Sequence, residues 1–472
     1  MSAIHQFHYS KIITPIWGAL AKETILSKVI WNIDWFKIAL TNIYEDTKKK
    51  YVDVIMKLDN MKTVMLDLKW PEFRSTIHTP LIFVWWERLW FEYSDFFDDQ
   101  ENTIFTDYPF SESLHVWVWF IFSWWVELEI VEIVRGRVLV VVRVAWTLWS
   151  QETMILADLM TTSPYLTEKD KSDMMRSITH NINIIVLSHV THPQNIIDAK
   201  NYLVSHWAKW VKVFFKVQNL ETIYQFKQII DVADGVIVEP RAYGELTKES
   251  SDLQEKIFDM INCTSYLGKP AIVKMRAQEL LWSKEEKTKL LLNYLEHGMS
   301  TIQLWEDIID LDDPTELILE IYNIMFEHQF DMMKSIAMDQ ARITEDYKTT
   351  DYIVYSAFRA ISEIDVRAII LYTENGYTAG MLSAYRPNIP IIAFTKSDAA
   401  YRYVNLMRAI RWYKIAPAFD YDNIKQLWKE IVRNIFKWSI ALEDKILVVH
   451  ASSLKMEISM INWLEIYKFK DI

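Results

Sequence analysis

The stretch Met65-Leu66-Asp67-Leu68-Lys69-Trp70-Pro71-Glu72-Phe73-Arg74 decides how this chain is read. Its first part, with Thr63 and Val64, forms an apolar run that ends on the carboxylate of Asp67 and reads as a strand. Upstream, strand-like and helix-like segments alternate. Lys11 to Ile16 reads as a strand, Ala21 to Val29 as a helix, Phe36 to Leu40 as a strand and Tyr44 to Asn60 as a helix. A β-α-β-α-β order of this kind points to parallel strands in an α/β barrel or an open sheet.

Downstream, from about Thr76 to Leu156, the character changes to short β runs without helical period. Val126 to Val134 alternates apolar and acidic residues, the mark of a half-buried strand; Arg135-Gly136 reads as a turn, and Arg137 to Val144 returns. Helix and strand alternation resumes near Thr167, with strands expected at Ile182 to Leu187, Val211 to Val217, Gly235 to Val238 and Ala271 to Lys274. Asp312-Asp313-Pro314 opens a helix running through Met325. After about Gln329 a separate open α/β region follows, with strands at Ala368 to Tyr372, Ile389 to Phe394 and Lys445 to Val449.

At 472 residues the chain has room for two to four domains. It is 51% hydrophobic and 24% charged, which places it among globular proteins. A net charge of -12 without a basic stripe argues against double-stranded nucleic acid as a partner. The aromatic clusters around Trp117 and Trp124 lack the interleaved Lys and Arg that base stacking or a membrane surface would need. The apolar windows Val116 to Val126 and Val138 to Trp149 fall short of the roughly 18 residues of a spanning helix, and Arg143 interrupts the second. Met1 to Ser10 lacks a signal-peptide pattern, and the single Cys263 fits a reducing cytoplasm, so a cytoplasmic location is expected. His180, His189 and His192 follow no standard metal-ligand spacing and read as packed or solvated histidines.

Glycine and tryptophan are out of proportion. Eight glycines lie far below the usual share of about 7%, whereas 21 tryptophans lie far above what a soluble chain carries. Ten of the 21 fall between residues 70 and 149, the turn-rich β region. Trp85-Trp86 and Trp124-Trp125 sit where paired glycines would make hairpin turns, and Trp438 sits at an expected helix C-cap. Two readings stand. Either many tryptophans are glycines in the natural protein, as in lineages that read UGA as glycine, or the chain is a divergent, tryptophan-rich protein. The codons decide between them.

The segment around Asp67 resembles the L-D-T-K-G-P-E-I-R motif of the pyruvate kinase family, with Trp70 at the family's glycine. Lys11 to Trp17 is similar to K-I-V-x-T-I-G, Leu166 to Asp170 to L-T-E-K-D, and Ile185 to Val190 to I-A-L-S-F-V. Lys216 to Asn219 resembles K-I-E-N, and Asp234 to Val238 resembles D-G-I-M-V. Gly268-Lys269-Pro270 and Leu304 to Asp307 echo G-K-P and S-G-E-T, while Thr373 to Ala379 and Tyr385-Arg386-Pro387 echo T-E-S-G-R-T-A and Y-R-P. These pieces are collinear across nearly the whole chain. The resemblance implies a (β/α)8 barrel with an inserted small β-barrel domain and a C-terminal open α/β domain. The expected divisions are residues 1–75 and 157–329 for the barrel, 76–156 for the insert and 330–472 for the last domain.

The family transfers a phosphoryl group between phosphoenolpyruvate and ADP, giving pyruvate and ATP in glycolysis. The resemblance therefore implies those small-molecule substrates, Mg²⁺ or Mn²⁺, K⁺, and a homotetramer. Lys216 matches the catalytic lysine; read from the residues alone, it is a strand-end lysine facing water. Arg74 matches the nucleotide-side arginine, and Lys37, Ser188 and Arg241 fall in the substrate- and phosphate-binding motifs. Asp67 and Thr41 remain as oxygen donors for a monovalent cation, although Asp67 also reads as a capping carboxylate. Departures accompany the matches. Gln218 and Ala242 replace the two carboxylates that hold the divalent cation, and hard cations need charged oxygen ligands. Lys37 replaces an arginine, losing its planar fork. Ala39 replaces an asparagine, Leu68 a threonine, and Met275 the substrate-binding threonine. Arg241 brings a positive charge toward the metal position or else is a surface arginine. Thr373, Asn375, Gly376 and Thr378 lie in the family's phosphorylated-effector loop, where Tyr377 replaces an arginine; the loop also reads as an ordinary strand-to-helix turn. An active phosphotransferase and a catalytically impaired homologue, kept for ligand binding or subunit contacts, both follow from this mixture. A barrel enzyme acting on a related carboxylate by other chemistry is a third expectation.

Overall fold

A computed structural model describes residues 10–16, 18–39, 45–58, 62–68, 73–76, 81–82, 84–93, 103–106, 119–122, 126–134, 137–143, 147–148, 153–156, 165–179, 182–240, 250–305, 307–308, 311–328, 348–415, 421–450 and 463–472. Three strands come first: β1 (Lys11–Pro15), β2 (Trp35–Ala39) and β3 (Thr63–Asp67). Nine short strands follow in the region without helical period: β4 (Phe73–Thr76), β5 (Leu81–Ile82), β6 (Arg88–Tyr93), β7 (Thr103–Thr106), β8 (Trp119–Phe122), β9 (Val126–Val134), β10 (Arg137–Val142), β11 (Thr147–Leu148) and β12 (Thr153–Leu156). Five more alternate with helices: β13 (Ile184–Leu187), β14 (Lys212–Val217), β15 (Gly235–Val238), β16 (Ala271–Met275) and β17 (Thr301–Leu304).

Strands β1 to β3 and β13 to β17 close into an eight-stranded parallel barrel in the order β1-β17-β16-β15-β14-β13-β3-β2. The insert closes a second barrel, β10-β6-β7-β4-β12-β8-β9, with β5 and β11 as a separate two-stranded ribbon. Strand β4 belongs to this second barrel, so the insert begins by Phe73, ahead of the boundary expected at residue 76. The last region adds β18 (Val366–Tyr372), β19 (Ile391–Thr395), β20 (Ile410–Lys414), β21 (Lys445–His450) and β22 (Trp463–Lys468), in the order β20-β19-β18-β21-β22. Only β22 runs antiparallel to its neighbour in that sheet. The expected fold class is the observed one. Sequence reading missed β17, β20 and β22, which carry Gln, Arg, Lys and Glu among their apolar residues and lack a clean period.

Strand side chains alternate across the sheet, and in the large barrel both faces are buried. One set, including Phe36, Leu66, Ile185, Phe215, Val236, Val273 and Ile302, packs outward against the helices. The other, including Ile13, Trp35, Met65, Ile184, Val186, Phe214, Ile237 and Ile272, fills the barrel and runs into the core of the C-terminal domain. Phe214 meets Tyr403 edge-on with ring centroids 6.2 Å apart, and the Tyr403 hydroxyl donates to the Asp234 carbonyl at 2.7 Å. That domain therefore closes the amino-terminal end of the barrel and leaves the carboxyl end as the face where side chains from several strands can meet.

The expected turn at Trp85-Trp86 is present, closed by the Glu87 N–H on the Val84 carbonyl at 3.1 Å. It links β5 and β6, which do not pair with each other, so it is not a hairpin. Trp86 has a left-handed φ of 68°. Past the helix Tyr421–Phe436 the left-handed residue is Lys437, one position before the Trp438 of the expected cap. Trp70, Trp124 and Trp125 lie outside the described residues.

Candidate active site at the carboxyl end of the barrel

Parity along each strand assembles the site. Trp35, Met65, Phe214, Ile237 and Ile272 point into the barrel, so the residue two positions on points inward one layer nearer the carboxyl end. Those residues are Lys37, Asp67, Lys216, Glu239 and Lys274, and all five are buried. Ser188 follows Ile184 and Val186 in the same way, and Gln303 lies beside Lys274 in register on β17. A layer of charge thus caps an apolar barrel.

The ion pairs are specific. The Lys37 ammonium lies 2.6 Å from Asp67 Oδ2, and the Lys216 ammonium lies 3.1 Å from Asp67 Oδ1 and 3.3 Å from Oδ2. Lys274 reaches Glu239 Oε1 at 3.2 Å and sits over the Trp305 ring, 3.7 Å from its centroid. Burial raises the Asp67 carboxyl, but Lys216 and then Lys37 outweigh it and hold the group below the usual carboxylate range. The Ser188 hydroxyl donates to the Leu68 carbonyl at 3.2 Å, which ties the end of β13 to that of β3.

Of the expected site residues, Lys37, Asp67 and Lys216 come together and Ser188 borders them. Arg74 lies on β4, and its side chain is outside the described residues, as are Thr41, Arg241, Ala242 and His180. Met275 packs outward among the helices, whereas Lys274 takes the inward position next to it. Lys274, Glu239 and Gln303 are the site residues that sequence reading missed; the step of two from Ile272, Ile237 and Thr301 was the available signal.

The cation sites implied by the resemblance fare differently from the lysine. Gln218 is half-buried, and its carbonyl oxygen accepts the His189 N–H at 3.3 Å. Among the described residues no three His, Cys, Asp or Glu side chains gather as a metal would require. A neutral amide in place of a carboxylate does not fit a divalent cation. For a monovalent cation, Asp67 already carries two ammoniums and the Leu68 side chain is hydrocarbon, while Thr41, the other expected donor, lies outside the described residues. The effector-type loop is engaged with itself and with the helix Lys348–Glu363. Thr373 Oγ1 accepts the Gly376 N–H at 3.1 Å, Asn375 Oδ1 accepts the Tyr377 N–H at 3.0 Å, and the Tyr377 hydroxyl donates to Asp351 at 2.7 Å. Gly376 is left-handed at φ 90°, and Thr378 is buried one residue into the helix Tyr377–Ala384.

The family model "Pyruvate kinase, barrel domain" matches residues 44–289, more than half of the chain. The model "Pyruvate kinase, alpha/beta domain" matches residues 351–467. The chain belongs to the pyruvate kinase family. Pyruvate kinase of Bacillus licheniformis is 24% identical over 354 residues, covering 74% of this chain and 60% of that protein. Pyruvate kinase of Geobacillus stearothermophilus is 26% identical over 259 residues, covering 54% of this chain and 44% of the relative. The matched stretches thus span about half the length of these curated relatives. The crystal structure of Cryptosporidium parvum pyruvate kinase superposes with a TM-score of 0.80 at 18% identity, covering 99% of this chain and 98% of that one. The pyruvate kinase fold is therefore kept along the whole chain at low sequence identity. Among the described residues no helix is long and apolar enough to cross a membrane.

Proposed function

We propose that this protein is a pyruvate kinase-like phosphotransferase, moving a phosphoryl group from phosphoenolpyruvate to ADP and giving pyruvate and ATP. The observation that carries this reading is the position of Lys216, buried at the carboxyl end of β14 with its ammonium on Asp67. In the transfer, the bond from phosphorus to the enol oxygen breaks and a bond to the terminal oxygen of ADP forms. The enolate left behind then takes a proton to become pyruvate. Negative charge on the transferring oxygens and on the enolate needs preorganised cations, and Lys216 and Lys37 are held there before substrate arrives. Arg74 serves the nucleotide side, and a cytoplasmic homotetramer completes the reading.

A coupled assay of the purified full chain with phosphoenolpyruvate, ADP and Mg²⁺ or Mn²⁺ tests it. Turnover that falls about 100- to 1000-fold or more in Lys216→Ala supports the phosphotransferase, a loss on the scale of one oxyanion-stabilising group. Gln218, an amide where the family has a metal-binding carboxylate, favours a second reading: a catalytically impaired homologue that binds ligand or partner subunits. Saturable phosphoenolpyruvate binding without turnover supports that one.

A further inference from the structure

We propose that the barrel mouth binds its phosphorylated acid directly on ammonium groups, with Lys274 taking the electrostatic place of a divalent cation, so that binding needs no metal. This rests on the phosphoenolpyruvate reading above and goes beyond it by naming what replaces the metal.

Three observations converge. The described inward layer holds three buried ammoniums, Lys37, Lys216 and Lys274, against two buried carboxylates, Asp67 and Glu239. Three ammoniums gathered at one level of the barrel attract an anion and oppose a divalent cation. Second, Gln303 is fully buried beside Lys274, and neither its Oε1 nor its Nε2 has a hydrogen-bond partner. An amide in that state is a donor and acceptor awaiting a polar ligand in the barrel. Third, the position next to Lys274 where the family resemblance places a substrate-binding threonine is Met275, which packs outward. Polar recognition on β16 therefore passes to Lys274.

The chemistry that fits is a small acid bearing both phosphate and carboxylate. One anionic group meets Lys37 and Lys216. The other draws Lys274 from Glu239 and accepts the Gln303 N–H. Glu239 holds Lys274 until the ligand arrives and competes with it afterwards.

Calorimetric titration of the full chain with phosphoenolpyruvate, in excess EDTA and in Mg²⁺, tests this. The expected dissociation constants agree within about threefold, well under the tenfold that corresponds to 1.4 kcal/mol. Lys274→Met weakens binding in EDTA by about tenfold or more, Lys274→Arg keeps it, and Glu239→Gln tightens it, because charge-assisted hydrogen bonds are gained or lost. The double variant Glu239→Gln with Lys274→Met leaves no orphaned charge to unfold the site and is expected to bind as weakly as Lys274→Met. Binding that appears only with Mg²⁺, alongside normal turnover, overturns this inference alone. Unchanged affinity of folded Lys274→Met in EDTA overturns it as well. No binding in either buffer together with no turnover removes the phosphotransferase reading and this inference with it.

Discussion

The Lys37 ammonium lies 2.6 Å from Asp67 Oδ2 inside the mouth of the barrel, and both side chains are buried. They come from neighbouring strands in parallel register, with Ala39 opposite Asp67, so the lysine reaches forward to the last layer of the barrel. Lys216 reaches the same carboxylate from β14, leaving one acid to hold two ammoniums.

Asp67→Asn removes the charge that both lysines share. Breaking a buried pair by deleting one partner costs about 3–5 kcal/mol, because the remaining charge stays desolvated. The expected outcome is a folded but weakened protein whose urea midpoint falls accordingly. A variant as stable as wild type shows that water reaches the pair.

Acid should reveal the same carboxylate. Burial raises Asp67, but Lys216 and Lys37 leave it below its ordinary value; burial likewise raises Asp234, and Lys212 and Lys200 leave it low. A carboxyl whose folded pKa is depressed binds fewer protons in the folded state. Its stabilisation is present above the unfolded value of about 4 and is lost as pH falls through the lower folded value. Melting temperature should therefore drop steeply below about pH 4, and Asp67→Asn should flatten that limb relative to its own neutral value. Melts followed from neutral pH to about pH 2 check the sign.

The barrel was legible because apolar runs such as Ile184–Leu187 and Gly235–Val238 are buried on both faces and carry no competing signal. The β insert was legible from the alternation in Val126–Val134. Lys216, Lys37 and Asp67 were found through motif resemblance. Lys274 and Glu239 resemble nothing in the motifs, and only their parity with Ile272 and Ile237 puts them on the inner face. The pairing of Glu239 with Lys274 was beyond reach because it crosses 35 residues of sequence, and closure of the barrel brings the two together.

Arg386 fastens the C-terminal domain to the barrel. Its guanidinium donates to the Glu296 carbonyl at 2.8 Å, the His297 carbonyl at 3.0 Å and Asn262 Oδ1 at 3.1 Å. Gly298, left-handed at φ 104°, leaves the space that the guanidinium fills. Arg386→Met keeps an unbranched apolar stem and removes the guanidinium with its donors. Each of these part-buried hydrogen bonds contributes about 1 kcal/mol, so a total loss of about 3 kcal/mol is expected in urea unfolding. An unchanged midpoint means that water replaces all three bonds.

The tryptophans divide by backbone and burial, and this division bears on whether some of them are glycines in nature. Trp207 is 93% exposed with φ 60°, and Trp86 is 65% exposed with φ 68°. A left-handed conformation costs an L-residue about 1–2 kcal/mol that glycine does not incur, and so exposed an indole returns little of it by burial. Trp207→Gly should therefore stabilise by about 1 kcal/mol. Trp86→Gly should gain less, because Arg143 stacks over that ring 4.2 Å from its centroid. Trp412 and Trp428 are buried in the C-terminal domain, and either one replaced by glycine should cost more than about 3 kcal/mol by opening a cavity. Chemical denaturation of the four single variants separates the groups. If Trp207→Gly is destabilising, the left-handed site is built for the indole, and the glycine reading fails at that position.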